Sequence, residues 1–203
     1  MPDSAFRLRL HEAVSLYIYA MGYDPAITDG RLRAWANHRL EPKFTAVAAI
    51  QHQESVTPEE ALLDTDCSLV GIAYCHQGRP EQWWHTQVRA GMAALQWPLA
   101  DRRAVLSNYT ELAEIHVHPD HQGAGIGEQM LRTLLAGRTE DHVLLSTPEV
   151  AHENNRAWSL YRRVGFTDVL RNFEFAGDSR PFAVLGAKLP LDSPPPTSSD
   201  TSR

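Results

Sequence analysis

Apolar residues near the start of the chain recur at the spacing of one helix face. Four of them follow the i, i+3, i+4, i+7 pattern: Val14, Tyr17, Ile18 and Met21. This pattern predicts an amphipathic helix over residues 10–21. Gly22 follows directly and suits the left-handed conformation that closes many helices. A second helical segment is expected around residues 31–39.

Short apolar runs with strand-like composition follow along the chain. The predicted strands are residues 44–51, 68–76, 110–118, 142–146, 166–175 and 182–189. Two further helices are predicted over residues 127–135 and 156–164, and Gly165 suits the cap of the second. A polar, acid-rich connection separates the first two strands, which we expect to pair antiparallel. This order of helices and strands indicates an α/β or α+β domain with a mixed sheet.

Residues 79–110 interrupt this order. They contain the cluster WWH at 83–85 and a helical segment over about residues 87–95, and we interpret them as an insertion. The insertion lies within a single domain over residues 1–190, since 203 residues is the length of one ordinary domain. Residues 191–203 carry too few apolar side chains to contribute to a core, so we predict a disordered tail.

The composition argues against several classes of protein. Hydrophobic residues make up 43% and charged residues 22% of the chain, as in folded globular proteins. The formal net charge of −6 argues against nucleic acid as the main partner, because a protein that neutralises phosphates is usually basic. No apolar run approaches the roughly 18 residues of a membrane-spanning helix, so no membrane partner is expected. Two cysteines without CxxC spacing indicate a reducing compartment, and we expect a cytoplasmic protein.

The stretch that carries the chemistry is IHVHPDHQGAGIG, residues 115–127. Its three glycines allow several backbone N–H groups to point into one concavity, and the following helix adds the positive end of its dipole. We therefore expect a diphosphate-binding loop. A nucleotide-binding P-loop would need Lys and Ser or Thr after the last glycine, where Glu128 and Gln129 stand. A Rossmann fingerprint would need GxGxxG directly after the strand, whereas this loop has GxGxG.

Two motifs together resemble those of the GNAT superfamily of N-acetyltransferases. The first is Gln-x-x-Gly-x-Gly at residues 122–127, after a strand that ends in Val-x-Pro. The second is NNRAWSLYRRVGF at residues 154–166, which resembles the superfamily's Asn-x-x-Ala-x-x-Leu-Tyr-x-x-x-Gly-Phe signature. The resemblance covers residues 108–175 well and the strand pair at 44–76 loosely. It implies a mixed, mostly antiparallel central sheet flanked by helices, with a helical insertion before the motif-bearing strand.

The resemblance also implies an activity, the acetyl-CoA-dependent transfer of an acetyl group to an amine by direct attack in a ternary complex. The loop amides would hold the pyrophosphate, and the strand before the loop would pair with the pantetheine arm. The implied cofactor contacts are Ile115, Val117, Gln122, Gly123, Ala124, Gly125, Ile126, Gly127 and Asn154. Four arginines are near enough in sequence to help bind the phosphates: Arg132, Arg156, Arg162 and Arg163. Asn154 is equally consistent with a simple helix cap.

Acetyl transfer needs a base and an acid, because an amine with a pKa of about 10.4 is protonated at neutral pH and a thiolate departs. Tyr161 matches the family's tyrosine acid, although it also continues an apolar helix stripe that would suit the core. Glu111 matches a strand position that carries the base in some family members, with Glu114 as runner-up and Glu149 as third candidate. Because strand side chains alternate, Glu111 and Glu114 should face opposite sides unless a bulge intervenes, as is common in this family. An exposed glutamate without a catalytic role is the alternative for both strand positions.

Two other functions compete with this interpretation. The run HVHPDH at residues 116–121 has the HxHxDH spacing of metallo-β-lactamase-like hydrolases, in which His and Asp bind zinc. Further ligands are scarce downstream, where His142 and His152 follow, so we predict no metal site. The second alternative is a GNAT-like module that binds acyl-CoA without transferring the acyl group.

The acceptor is expected to be an amine on a small molecule or a peptide. Residues 79–110 lie between strands that are usually joined by a short turn in this family, and long loops on an α/β scaffold often form binding surfaces. We therefore expect the insertion to cover the acceptor pocket. Its tryptophans are equally consistent with an extended core or with a homodimer interface.

Overall fold

The computed structural model describes residues 1–191. Within these residues the helices are α1 (Asp3–Met21), α2 (Thr28–His38), α3 (Pro58–Leu63), α4 (Trp83–Ala94), α5 (Leu99–Leu106), α6 (Ile126–Leu135) and α7 (Arg156–Arg163). The strands are β1 (Thr45–Gln51), β2 (Ser68–Gln77), β3 (Tyr109–Val117), β4 (His142–Pro148), β5 (Thr167–Phe173) and β6 (Phe182–Lys188). Of the predicted tail, residues 191–203, all residues after Leu191 lie outside the described part of the chain.

The strands of the described chain form one sheet in the order β1-β2-β3-β4-β6-β5. Within this part of the chain β3 and β4 pair in parallel, and all other neighbouring strands are antiparallel. The prediction of a mixed, mostly antiparallel sheet is confirmed, as is the antiparallel pairing of its first two strands. No helix among residues 1–191 is long and apolar enough to cross a membrane.

Helices cover both faces of the sheet, as the alternating side chains of β4 illustrate. Val143 and Leu145 belong to an apolar cluster with α6 and α7 on one face. Leu144 points the other way, into a cluster with α4 and α5. On that second face α1 and α2 cover β1 and β2, where Trp35 is fully buried. Two groups of helices therefore flank the line along which β3 meets β4.

The first helix is longer than the apolar pattern predicts. It begins at Asp3 rather than near residue 10, because Phe6 and Arg9 already belong to its buried side. The apolar pattern does not show this face, because a charged residue, Arg9, lies on it. The buried guanidinium of Arg9 donates to backbone carbonyls around α3. Gly22 closes the helix at φ +64°, the left-handed conformation expected for it.

The insertion contains more helix than the single predicted segment. Its first helix, α4, begins at Trp83, and a second helix, α5, follows Pro98. Arginine, aspartate and alanine residues in α5 dilute the apolar period that would have revealed it. The buried side chains of these two helices extend the core over β4 to β6; they include Trp84, Val88, Met92 and Leu106.

The acid-rich connection between β1 and β2 also contains a helix, α3, that the sequence pattern does not predict. Thr57 caps it: its hydroxyl accepts the Glu60 N–H at 3.3 Å, and the Glu60 carboxylate accepts the Thr57 N–H at 3.0 Å. Pro58 occupies the first helical position, where its missing N–H costs nothing. A helix of six residues is too short to show an apolar period, so its signal lay in the cap alone.

Candidate active site

The central strands β3 and β4 pair over a short stretch and then separate. Tyr109–Glu111 is in register with His142–Leu144, and beyond Glu111 β3 continues in register with β2 only. A cavity of about 300 Å³ opens between the diverging strands. Its sheet-side walls are residues 112–116 of β3, residues 145–148 of β4, and Ala157 and Tyr161 of α7.

The edge of β3 that faces this gap has backbone hydrogen-bonding groups available. The N–H of His118 donates to the Val70 carbonyl of β2 at 2.8 Å. Since successive strand residues direct their backbone groups to opposite edges, Ile115 and Val117 direct theirs away from β2. The Val117 carbonyl accepts a hydrogen bond from the Gln122 side chain at 3.0 Å, whereas its N–H faces the gap. This edge has the geometry that pairing with an extended ligand arm requires.

The glycine loop lies at the end of β3. Gly123 has a φ of +89° and Gly125 a φ of +81°, a region that other residues rarely adopt. A Cβ at either position would meet no atom within 4 Å, so conformation rather than space requires glycine here. Gly125 is the N-cap of α6 and no side chain caps that helix. The first-turn N–H groups are therefore available to an anion, which the helix dipole also favours.

Three of the four arginines that the sequence singles out lie beside this loop. Arg156 donates to the Gln122 side-chain oxygen at 3.0 Å. Arg132 and Arg163 donate to the carboxylate of Glu128 in the first turn of α6, at 3.0 and 2.9 Å. These two hydrogen bonds lower the pKa of Glu128. The arginine charges offset a carboxylate that would otherwise repel an anion at the start of the helix.

The fourth arginine, Arg162, is near the end of α7 and belongs to an ion-pair network away from the glycine loop. It donates to Glu153 at 2.6 Å and to Asp168 at 2.5 Å. Glu149 is held by Arg171 through two hydrogen bonds of 2.7 and 2.8 Å. The Arg171 hydrogen bonds hold the pKa of Glu149 below its usual range. Glu149 is not part of the cavity wall, so this network is structural and does not favour it as a base.

Asn154 precedes α7 but does not cap it. Its neighbour Asn155 is the N-cap, and the Asn155 side-chain oxygen accepts the N–H of Trp158 at 2.9 Å. The capping alternative for Asn154 is therefore wrong, because the helix begins one residue later than that alternative requires. Asn154 is exposed, and its contact with a cofactor stays a prediction.

Tyr161 packs in the core and also lines the cavity. It is 6% exposed and its ring packs 5.6 Å from that of Phe166, within the core cluster of α6 and α7. It also forms part of the cavity wall. Burial, and then the charge of Glu114, raise the pKa of Tyr161 well above its ordinary value. Its hydroxyl therefore keeps its proton throughout the neutral range.

A β-bulge in β3 decides which way its glutamates point. The pairing between β2 and β3 skips Ala113, so that Tyr74 lies opposite Glu114 and His76 opposite Glu111. Tyr74 and His76 are two residues apart on one strand and share a face. Residues directly opposite in a sheet also share a face, so Glu111 and Glu114 lie on the same side. The bulge on which the sequence-based expectation depended is present.

Glu114 forms part of the cavity wall and has two side-chain partners. The Nε1–H of Trp35 in α2 donates to its Oε1 at 3.2 Å. The Nε2 of His116 lies 2.6 Å from its Oε2. The His116 ring in turn packs edge-on against Tyr17 of α1, with ring centres 4.9 Å apart. The helices of the second face therefore hold a carboxylate and an imidazole together at the cavity.

Glu111 lies on the same face but is buried and does not belong to the cavity wall. Burial, followed by the charges of Glu114 and Glu41, raises its pKa to about 8. No cation or hydrogen-bond donor among residues 1–191 offsets that burial. The base that the strand motif favours is thus held away from the cavity, and its runner-up, Glu114, reaches it.

The side chains of the HVHPDH run do not converge on one point. His116 bonds to Glu114, whereas the His118 ring stacks on Tyr19 of α1 with centres 5.0 Å apart. The Nδ1 of His118 accepts the N–H of Asp120 at 3.3 Å, which closes a local turn. Among residues 1–191, no group of three or more His, Cys, Asp or Glu side chains is placed to hold a metal ion. The zinc-hydrolase alternative therefore has no site in the described chain.

The outer wall of the cavity comes from segments that the sequence motifs do not identify. These residues are Tyr17, Met21, Tyr23, Arg31, Trp83, Trp84, Phe175, Asp178, Arg180 and Phe182. Arg180, in the β5–β6 connection, donates to the Tyr23 hydroxyl at 2.8 Å and so joins two segments distant in sequence. In the sequence, the aromatic clusters at residues 17–23 and 83–84 are the feature that could have indicated this wall. Such clusters more often belong to a hydrophobic core. Trp83 and Trp84 place the start of the insertion at the cavity.

Comparisons with known proteins agree with this geometry. A family model described as an acetyltransferase (GNAT) domain matches residues 80–168. The chain is also 42% identical over 201 residues to a GCN5-like protein acetyltransferase of Mycobacterium tuberculosis. That alignment covers 94% of this chain and 97% of the relative.

Solved structures share the fold at low sequence identity. The Escherichia coli ribosomal-protein-S18-alanine N-acetyltransferase is 14% identical with a TM-score of 0.55, covering 95% of this chain and 93% of that one. The Salmonella typhimurium protein yncA, solved with acetyl-CoA, is 16% identical with a TM-score of 0.51 and 93% coverage of both chains. At these identities the likeness concerns the fold. The curated relative, similar over nearly the whole chain, together with the matching domain model, shows that this chain belongs to the GNAT superfamily of acetyltransferases.

Proposed function

We propose that this protein is an acetyl-CoA-dependent N-acetyltransferase whose acceptor is an amine on a polypeptide. One observation carries the proposal: the cavity between β3 and β4 has the glycine loop at the end of one strand and Tyr161 and Glu114 in its walls. A donor that enters along β3 and an acceptor that enters from the helical face would meet there. Acyl transfer between two bound substrates requires such a meeting point.

Acetyl-CoA, when bound, supplies the acetyl group as a thioester. The N–H groups of residues 123–127 suit its pyrophosphate, because a helix start without a side-chain cap favours anions. The Gln122 N–H instead donates to the Pro119 carbonyl. The free edge at Ile115 and Val117 suits the pantetheine arm, which can pair as an added strand. The fold neighbour yncA was solved with acetyl-CoA, which supports this choice of donor.

Tyr161 acts as the acid that protonates the departing sulfur. The Tyr161 hydroxyl is protonated at neutral pH, as an acid in this step must be. Its position in the cavity wall supports this role.

Glu114, together with His116, takes up the proton that the acceptor amine loses. When two carboxylates share a low-dielectric site, one is driven to stay protonated while the other ionises. Burial, followed by the charges of Glu114 and Glu41, raises the pKa of Glu111 to about 8, so Glu111 stays protonated at neutral pH, and Glu114 is the carboxylate that lines the cavity. Trp35 and His116 fix the orientation of this carboxylate.

A polypeptide acceptor is supported by the curated relative, which is named a protein acetyltransferase. The outer wall of the cavity is consistent with such an acceptor, because Trp83 is 56% exposed there and offers an apolar surface at the mouth. Exposed aromatic residues are frequent where polypeptides dock.

The test combines the purified protein, acetyl-CoA and a lysine-containing peptide. We expect release of coenzyme A thiol that depends on the peptide, together with peptide that is heavier by one acetyl group in mass spectrometry. The same peptide with its amines already acetylated is the control and should release no thiol. Binding of acetyl-CoA without amine-dependent thiol release, across peptides and small amines, would instead favour the non-catalytic module.

A further inference from the structure

Arg31 of α2 lies in the outer wall of the cavity, close to the proposed base. Its guanidinium carbon is 5.1 Å from the centre of the Tyr17 ring. Tyr17 packs edge-on against His116 at 4.9 Å, and His116 is hydrogen-bonded to Glu114 at 2.6 Å. One aromatic ring therefore separates a cation from the Glu114–His116 pair.

The two arginines of this wall differ in their partners. Arg180 donates to both carboxylate oxygens of Asp178 and to the Tyr23 hydroxyl, so its donors are engaged. Arg31 makes no ion pair with any carboxylate within residues 1–191, and its described contact is the ring of Tyr17. Asp178 is within electrostatic reach of Arg31, but both its oxygens accept from Arg180.

An arginine that contacts an aromatic ring and pairs with no carboxylate keeps N–H donors available to a ligand. Those donors form a planar fork that matches a carboxylate, and such charge-assisted pairs are stronger than neutral hydrogen bonds. A cation that is half-buried in an aromatic wall without a carboxylate also costs free energy until an anion arrives.

We propose that Arg31 binds the carboxylate of an acidic residue that neighbours the amine-bearing residue of the acceptor polypeptide. The proposal rests on the proposed function. It makes the cavity complementary to a pair of charges: the amine meets Glu114, and the acidic side chain meets Arg31. Arg31 then selects among acceptors without taking part in the transfer itself.

The experiment measures kcat/KM for matched lysine peptides that differ in one residue beside the lysine, Asp in one and Asn in the other. We expect the wild-type protein to prefer the acidic peptide by roughly tenfold, as one charge-assisted hydrogen bond would give. The R31Q variant should lose this preference, so that its kcat/KM values for the Asp and Asn peptides become equal. Arg33→Gln is the matched control, because Arg33 is an exposed residue on the same helix and does not line the cavity.

A charge-reversed variant distinguishes loss of the Arg31 interaction from loss of folding. R31E should bind acetyl-CoA as the wild type does and should prefer a peptide with Lys or Arg beside the target lysine. The inference is overturned if the wild type acetylates both peptides equally, if R31Q keeps the preference, or if only free amino acids show a preference for a carboxylate. Failure of the wild type to acetylate any amine would instead overturn the proposed function, so the two failures are distinguishable.

Discussion

Glu111 and Glu114 lie three residues apart on β3 and yet face the same side of the sheet, because Ala113 is left out of the pairing with β2. A regular strand would have placed them on opposite faces. Burial raises the pKa of Glu111, and the charge of Glu114 on the shared face raises it further, to about 8. The bulge thus places two carboxylates on one face, and Glu111 there holds its proton to a higher pH than usual.

Replacement of Glu114 by Gln should remove the group that takes the amine proton. We expect kcat/KM to fall by roughly 10²–10³-fold near neutral pH, and the loss to shrink at high pH, where more of the amine is already deprotonated. The measurement is a pH profile of acetyl transfer to one peptide. Glu149→Gln is the matched control, since Glu149 pairs with Arg171 outside the cavity, and its profile should follow the wild type. An equal loss in both variants would contradict the assignment.

Replacement of Glu111 by Gln should change how stability depends on pH. In the folded protein the Glu111 carboxyl has a pKa of about 8, against an ordinary value of 4.5, so unfolding releases its proton between these pH values. Its contribution to stability is therefore complete below about pH 4.5 and is lost as the pH rises to about 8. Relative to the variant, the wild type should lose roughly 2–4 kcal/mol of unfolding free energy between pH 5 and 9. Urea unfolding at both pH values measures this, and parallel curves would show that Glu111 ionises normally.

Replacement of Tyr161 by Phe removes one hydroxyl and leaves the ring that packs on Phe166. We expect kcat to fall by roughly 10²–10³-fold, because the departing thiolate loses its proton donor. Acetyl-CoA binding and thermal stability should stay close to those of the wild type. Calorimetric titration and thermal unfolding provide these controls, and an unchanged kcat would mean that Tyr161 is a core residue only.

Replacement of Gly125 by Ala should weaken acetyl-CoA binding. Gly125 has a φ of +81°, and an L-residue pays about 1–2 kcal/mol to adopt that conformation. A loop that relaxes to avoid this strain would misalign the N–H groups of α6 and raise the Kd roughly tenfold. Gly137→Ala is the matched control, because Gly137 has a φ of +74° and equal space but lies beyond the other end of α6. Both variants should lose similar stability, and only Gly125→Ala should lose affinity.

Much of the fold follows from local patterns. The strand runs, the α6 and α7 stripes and the Gly22 cap are encoded by neighbouring residues, because apolar period and backbone preference act over a few positions. The local pattern does not predict the helices α3 and α5. The helix α3 is too short to show an apolar period, and in α5 polar residues interrupt that period. Their formation depends on caps and on packing against the rest of the chain.

The sequence by itself determined the glycine loop, the helix that carries Tyr161 and the strand that carries the two glutamates. Only the tertiary structure decided which glutamate reaches the cavity, because the direction of a strand side chain depends on pairing with its neighbour, and that pairing skips Ala113. It also decided the outer wall of the cavity, which Arg31 and Arg180 share although about 150 residues separate them. Such a wall exists only after the sheet has formed, so no local pattern encodes it.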